Sequence, residues 1–420
     1  MTQAKVSLRR LLHQPLYTVI SVIGLGIGMA VCLLVLRYGV TELSFDRHHP
    51  APERTYRLVL NEEPQVPSQV IDLTRAEVQG VERVARFTHP LHPLISQGER
   101  RLYQPVSVAD EHLFQTLSFP FLHGDPHTAL KEAFSMVVAA RFARQYYDRV
   151  DVVGETILWD QGIPFQITGV VEIPATSHLR FAAVISYATS YADERWDAIL
   201  RFPWRFRQGA YAVLAPGVQP ESVLAQILDA VEQHIGLWAR EEMVAANLRL
   251  QPVLDIRLHS QWPADVDRAS TASMDRLILL VVIGGFVLLL ACANFTNLAT
   301  AQATRRAREV RLRKAIGASR WQLARQFLAE TLVISLLATL LALVLAGLAV
   351  PAFSAFLGVE LDLLASWGAA LAVTAVGLGV GVLAGMYPAM VLAGYDPMRA
   401  LSAAAPTTGH GGRVRRILVI

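Results

Sequence analysis

The sequence predicts an integral membrane protein with four transmembrane α-helices and a large α+β extracytoplasmic domain between helices 1 and 2. Three observations carry this. The 420-residue chain is 53% hydrophobic and only 17% charged, against roughly 25% charged in soluble domains, and its mean hydropathy is +0.36. Its apolar residues gather in runs long enough for the ~20-residue helix that crosses a bilayer core. Lys and Arg crowd some of the segments beside those runs and are missing from another, which is how membrane orientation is written in a sequence.

The first run covers residues 17–36 (YTVISVIGLGIGMAVCLLVL), the second 277–298, the third 327–350 and the fourth 369–392. The first is longer than the apolar region of a signal peptide. It ends in Arg37-Tyr38 rather than in a small-residue cleavage site, so it reads as an uncleaved anchor. Orientation follows the basic residues. Lys5, Arg9 and Arg10 precede span one, eight Lys/Arg lie between Arg305 and Arg325, and Arg399, Arg413, Arg415 and Arg416 follow span four. Residues 351–368 hold no Lys or Arg. The expected order is a cytoplasmic N-terminus (1–16), helix 1 (17–37), an outer domain (38–275), helix 2 (276–299), a cytoplasmic segment (300–326), helix 3 (327–350), a short outer loop (351–368), helix 4 (369–393) and a cytoplasmic tail (394–420).

Within the spans, Gly24 and Gly28, and then Gly377, Gly381 and Gly385, recur every fourth residue. Small residues at this spacing let helices approach closely in lipid. Asn294 and Asn297 in span two can hydrogen-bond between helices. Glu330, one turn into span three, is costly in a membrane unless it is paired or reaches the interface, so it is a candidate functional carboxylate, with pairing to Arg306 or snorkelling as the plain alternative. Pro388 kinks or ends span four. Cys32 and Cys292 both lie inside apolar runs, which excludes a disulfide framework.

The outer domain mixes strand and helix patterns. Residues 54–60, 136–139 and 210–214 read as strands, and 156–172 as a hairpin turning near Gly162. Residues 112–117 and 220–238 read as helices, the second with Glu221 in its first turn, and 248–258 alternates again. Interleaved strands and helices indicate an α+β class. His48, His49, His89, His92, His123 and His127 are scattered, mostly in loops, with no two on one helix face, so no metal site is expected. No catalytic constellation stands out, no bound cofactor is expected, and the sequence has no G-x-x-x-x-G-K-[ST] phosphate loop.

The most specific stretch is 305–328, RRAREVRLRKAIGASRWQLARQFL. It reads as a basic helix up to Ala315, a break at Gly317-Ala318-Ser319, and a second helix capped by Ser319 that runs into span three. On residue chemistry alone it is either a docking element or an interfacial helix on anionic lipid headgroups. Residues 309–320 (EVRLRKAIGASR) resemble the coupling segment of FtsX/MacB-type ABC transporter permeases. Residues 385–389 (GMYPA) and 396–401 (DPMRAL) are similar to the end of that family's last helix. Residues 45–50 (FDRHHP), 54–57 (RTYR), 167–171 (ITGVV) and 176–181 (TSHLRF) resemble its periplasmic core domain. With the order of one span, a large outer domain and three spans, the resemblance covers nearly the whole chain.

The resemblance implies a non-catalytic permease subunit in the cytoplasmic (inner) membrane, with both termini cytoplasmic and the large domain periplasmic. A cytoplasmic ABC ATPase would dock around Glu309, Arg311, Arg313, Lys314, Gly317, Ala318 and Arg320, with ATP and Mg on that partner. A second permease unit would complete the transmembrane assembly, with a periplasmic adaptor as a further candidate partner, membrane lipids around it and no nucleic acid. The expected work is export or extraction of an envelope substrate by mechanotransmission. Members of the MacB branch carry a fused ATPase before span one, so a separate ATPase chain is expected here. The C-terminal segment 413–420 resembles residues 5–12, which suggests the first half of a longer duplicated permease. The competing class is a membrane-anchored sensor or scaffold whose outer domain binds an envelope ligand or enzyme. A scaffold would have no need of the 309–320 segment.

Overall fold

The computed structural model describes residues 15–61, 63–88, 90–160, 162–193, 196, 207–260, 272–305, 319–359, 361–363, 374–375, 377–382 and 386. The chain forms two units, one of residues 1–41 with 275–420 and one of residues 42–274. Its helices are α1 (Pro15–Leu43), α2 (Ser68–Glu77), α3 (Leu113–Thr116), α4 (Ala140–Tyr147), α5 (Thr189–Ala192), α6 (Pro220–His234), α7 (Leu237–Ala245), α8 (Ile256–His259), α9 (Met274–Arg305) and α10 (Arg320–Leu357).

In the membrane unit, α1, α9 and α10 are long and apolar enough to cross a bilayer. Among the described residues the count stops at three. The expected fourth span is described only at 374–375, 377–382 and 386, all helical. Leu25, Met29, Leu33 and Leu34 of α1 pack with Ala338, Ala342 and Ala346 of α10, whose spacing of four places all three alanines on one stripe. Ser319 caps α10 with a complete capping box. Its hydroxyl accepts from the Gln322 N–H at 3.2 Å and its own N–H donates to Gln322 Oε1 at 2.9 Å.

Helix α10 differs from expectation at its far end. The outer loop was expected from Pro351, yet the helix runs through this proline to Leu357 and ends at Gly358, whose φ is +68°. The proline forfeits the bond to the carbonyl of Gly347, four residues back, yet does not end the helix. The left-handed Gly358 is where a side chain would be strained, so the stop falls there.

The outer domain is built on a 13-stranded mixed sheet: β1 (Thr55–Val59), β2 (Val66–Pro67), β3 (Val81–Phe87), β4 (Leu94–Gln97), β5 (Arg100–Tyr103), β6 (Val106–Ala109), β7 (Phe121–Gly124), β8 (Ser135–Ala139), β9 (Thr156–Trp159), β10 (Ile163–Val171), β11 (Ala183–Ser186), β12 (Arg207–Leu214) and β13 (Arg249–Pro252). The order is β13-β1-β12-β3-β6-β11-β8-β10-β9-β4-β5, with β2 on β12 and β7 on β10. The β10–β8 and β11–β6 pairs are parallel. Strands β6, β8 and β11 are buried along their whole length and read as continuous small or apolar runs, VSVA, SMVVA and AVIS, as strands covered on both faces must. Strand β9 (TILW), between β10 and β4, instead alternates exposed and buried.

Helices α2, α6 and α7 cover one half of the sheet, with Val70, Val223, Ile227 and Met243 against Leu58 and Ala212. Helix α4 covers the other half, with Phe142 and Tyr146 against Val138 and Phe165. The halves meet where β3 pairs with β6 at Phe87↔Ala109. The expected helix over 220–238 is two helices, because Gly236 at φ +121° sits between α6 and α7. The alternation over 248–258 yields a strand only to Pro252, followed by a 3-10 turn (Val253–Asp255) and α8.

Candidate functional site

The outer domain starts in the last turn of α1, and its first residues build its most polar buried region. Glu42 is fully buried against Arg257 of α8. Arg257 Nε donates to Glu42 Oε2 at 2.6 Å and Nη2 donates to Oε1 at 2.8 Å, a two-pronged contact with the side chains 3% and 0% exposed. The guanidinium carbon also lies 4.2 Å from the centre of the Phe45 ring. Two such charges stay folded in a dry place only because each neutralises the other and satisfies its hydrogen bonds. The pair ties the segment that enters the domain from α1 to the segment that leaves it toward α9, since the Arg257 carbonyl in turn accepts from the Ala272 N–H at 2.9 Å.

Asp46 follows. Its φ is +59°, a left-handed conformation that Asp tolerates better than most residues. Its N–H donates to the Thr176 carbonyl at 2.9 Å, and its Oδ1 accepts from the His178 N–H at 3.1 Å. These contacts clip 45–50 onto 176–181, two of the segments that carry the family resemblance. His178 Nδ1 stands 2.8 Å from Asp46 Oδ1 without hydrogen-bond alignment, and its Nε2 is 2.9 Å from the Tyr211 hydroxyl on β12. His49 Nε2 lies 3.6 Å from the same Oδ1. The His48 and His49 rings sit 4.1 Å apart, each with Phe119 edge-on at 6.3 and 6.1 Å.

Burial would raise the Asp46 carboxyl, but the imidazole of His178, the side chain of His49 and the His178 N–H outweigh it and hold the carboxyl below the usual range. Burial, the nearby His49 and His178 push His48 down to about 4 against the partial pull of Asp46. Asp46, His49 and His178 therefore form one buried group with a donor atom each, all within 4.8 Å of one another. Sequence spacing ties His49 to Asp46 but does not reveal His178, which is 132 residues away. The usable signal was that both partners lie in family-like segments. His92, His123 and His127 are exposed and outside the group, and His89 lies outside the described residues.

The expected coupling residues Glu309, Arg311, Arg313, Lys314, Gly317 and Ala318 lie outside the described residues, as does Gly385, while Arg320 is the first residue of α10. Glu330 is 7% exposed. Asn294 is exposed and Asn297 half-buried on α9. A Cβ added to Gly28 would stand 2.5 Å from Ala291 Cβ, whereas one at Gly24 would make an ordinary 3.5 Å contact with Asn294 Nδ2. A Cβ at Gly377 would collide with Thr339, and one at Gly381 with Ser335. The Ser335 hydroxyl donates to the Gly377 carbonyl at 2.6 Å.

Residues 18–230, half of the chain, match the MacB-like periplasmic core domain, and residues 281–397 match the FtsX-like permease C-terminal domain. The chain is 23% identical over 265 residues to YknZ of Bacillus subtilis (strain 168), described as an uncharacterized ABC transporter permease, covering 63% of this chain and 60% of that one. It is 29% identical over 130 residues to the macrolide export ATP-binding/permease protein MacB of Sodalis glossinidius (strain morsitans), covering 31% of this chain and 20% of the relative. It therefore spans less than two thirds of the length of either. The periplasmic region of MacB from Actinobacillus actinomycetemcomitans superposes with TM-score 0.35 at 10% identity, over 48% of this chain and 90% of that one. On its two family domains, joined by apolar helices, the chain belongs to the FtsX/MacB-type ABC transporter permeases.

Proposed function

We propose that this chain couples ATP hydrolysis by a partner ATPase to a conformational change in its periplasmic domain, and that the change drives export or extraction of an envelope substrate without chemistry in this subunit. The family assignment carries the reading. The relatives' names point to permeases and, for MacB, to macrolide export; the substrate class proposed here is broader, an envelope molecule reached from the periplasmic side. The basic residues around the apolar runs support an orientation with both termini and the 300–326 segment in the cytoplasm.

In this reading the ATPase docks on Glu309, Arg311, Arg313, Lys314, Gly317, Ala318 and Arg320. The capped start of α10 supports it, because Ser319 gives the segment a fixed exit into a membrane helix. ATP and Mg reside on the partner. A second permease unit completes the assembly, and the lipid-length helix α9, which exposes Leu279, Val282, Phe286 and Leu289, has apolar surface for it or for lipid. The test is a detergent pull-down of the tagged chain from its native membrane with mass spectrometry, beside the variant Glu309→Lys/Gly317→Pro. The expected result is an ATP-binding subunit recovered with the wild type and lost with the variant. No ATPase with the wild type, even after crosslinking, would overturn the coupling reading in favour of a membrane-anchored scaffold.

A further inference from the structure

The Asp46 group has no part in coupling as proposed, and its chemistry is that of a ligand set. Asp46, His49 and His178 are 0%, 3% and 1% exposed. Six polar atoms of this cluster have no hydrogen-bond partner among the described residues: Asp46 Oδ2, both ring nitrogens of His48 and of His49, and His178 Nδ1. A neutral imidazole always carries one N–H and one lone pair. The four ring nitrogens of His48 and His49 are therefore buried polar groups left unused, each at a desolvation cost. A fold that only needed filler here would place apolar side chains beside Phe119.

The surrounding contacts aim the donors. The Tyr211 hydroxyl at His178 Nε2 occupies one ring nitrogen and leaves Nδ1 as the atom that faces Asp46. A ligating histidine is characteristically held in this way, through its other nitrogen. The His178 N–H fixes Asp46 Oδ1, which orients the carboxylate as an outer partner would. Two imidazoles and one carboxylate are the donor set of a borderline divalent ion, and calcium or magnesium would demand oxygen ligands instead.

We propose that Asp46, His49 and His178 form a structural site for a divalent transition ion of the zinc class, which fastens the start of the outer domain to the 176–181 segment and, through Tyr211, to β12. All three donors are buried, which keeps substrate away from the ion and leaves it a fastening role. The fourth position goes to water or to the adjacent His48. The inference stands on the outer domain alone and does not depend on the ATPase reading.

The test uses the full chain in detergent with its affinity tag removed, stripped with chelator, equilibrated with zinc and desalted. The metal content of the wild type is compared with that of His49→Gln and Asp46→Asn. The expected result is about one zinc per chain in the wild type and a background level in both variants. Chelator should lower the unfolding temperature of the wild type and leave that of His49→Gln unmoved. Because a variant could fail to fold, His49→Cys is loaded with cobalt. A thiolate-to-cobalt absorption band, absent in the wild type, shows that position 49 touches the ion. A wild type that retains no more zinc than His49→Gln, or a folded His49→Cys chain that gives no such band, overturns the proposal in favour of bound water.

Discussion

The membrane unit and the outer domain bury polar groups in opposite ways. In the membrane unit the helices meet through small residues, with Ala338, Ala342 and Ala346 fully buried and Gly28 facing Ala291 with no room for a Cβ. Two buried hydroxyls of α10 bond to backbone: Thr339 Oγ1 donates to the Ser335 carbonyl at 2.8 Å and Ser335 to that of Gly377. In the outer domain each buried charge meets an opposite one: Glu42 and Arg257 are both inside, Asp110 meets a partly exposed Arg75, and an exposed Asp72 meets a buried Arg86 whose guanidinium carbon lies 4.1 Å from the Tyr187 ring centre. Lipid gives helices no hydrophobic reason to associate, so close packing must supply it. In water the burial of an apolar sheet supplies the drive, and paired charges add fixed connections between distant segments.

The largest expected effect lies in the outer domain. Glu42→Ala or Arg257→Ala leaves one buried charge alone and should cost about 3–5 kcal/mol, while the double change Glu42→Leu/Arg257→Met should restore most of that loss. Protease resistance of the full chain across a urea series reads the difference. Single variants as stable as the wild type would show that the pair is not closed in solution. In the membrane unit the effects should be smaller and steric. Gly28→Leu should cost about 1–3 kcal/mol through overpacking against Ala291, and Ala291→Gly should recover part of it for Gly28→Ala. Gly24→Ala, with an ordinary 3.5 Å neighbour, should stay within about 0.5 kcal/mol of the wild type. Thermal unfolding in detergent ranks the three, and equal losses at positions 24 and 28 would contradict the close approach of α1 to α9.

The same division decides what could be read from the sequence. Hydropathy and glycine spacing are local signals, so the runs at 17–36, 277–298 and 327–350 find their helices α1, α9 and α10, although each helix extends past its run because backbone hydrogen bonding does not stop at the edge of lipid. Ser319 was legible as a cap because capping depends on residues three apart. Strand β1 and the Gly162 hairpin were legible from alternation and a turn residue. Helix α2, strand β3 and the small-residue strands β6 and β11 were not, since four-residue segments such as VSVA and AVIS have no period to detect. The Asp46 group and the Glu42–Arg257 pair join residues 132 and 215 apart. Nothing in local spacing announces them, and only the family-like character of 45–50 and 176–181 marked either neighbourhood.

The most direct test is hydrogen exchange on the permease reconstituted with the proposed ATPase partner, with and without a non-hydrolysable ATP analogue. Peptides covering 42–49 and 253–259, which the Glu42–Arg257 pair ties together, are the ones to follow. The account predicts that nucleotide changes their protection in the wild type, and that Glu309→Lys/Gly317→Pro abolishes the change. Identical protection with and without nucleotide, in a wild-type complex that hydrolyses ATP, would contradict transmission from the ATPase to the periplasmic domain.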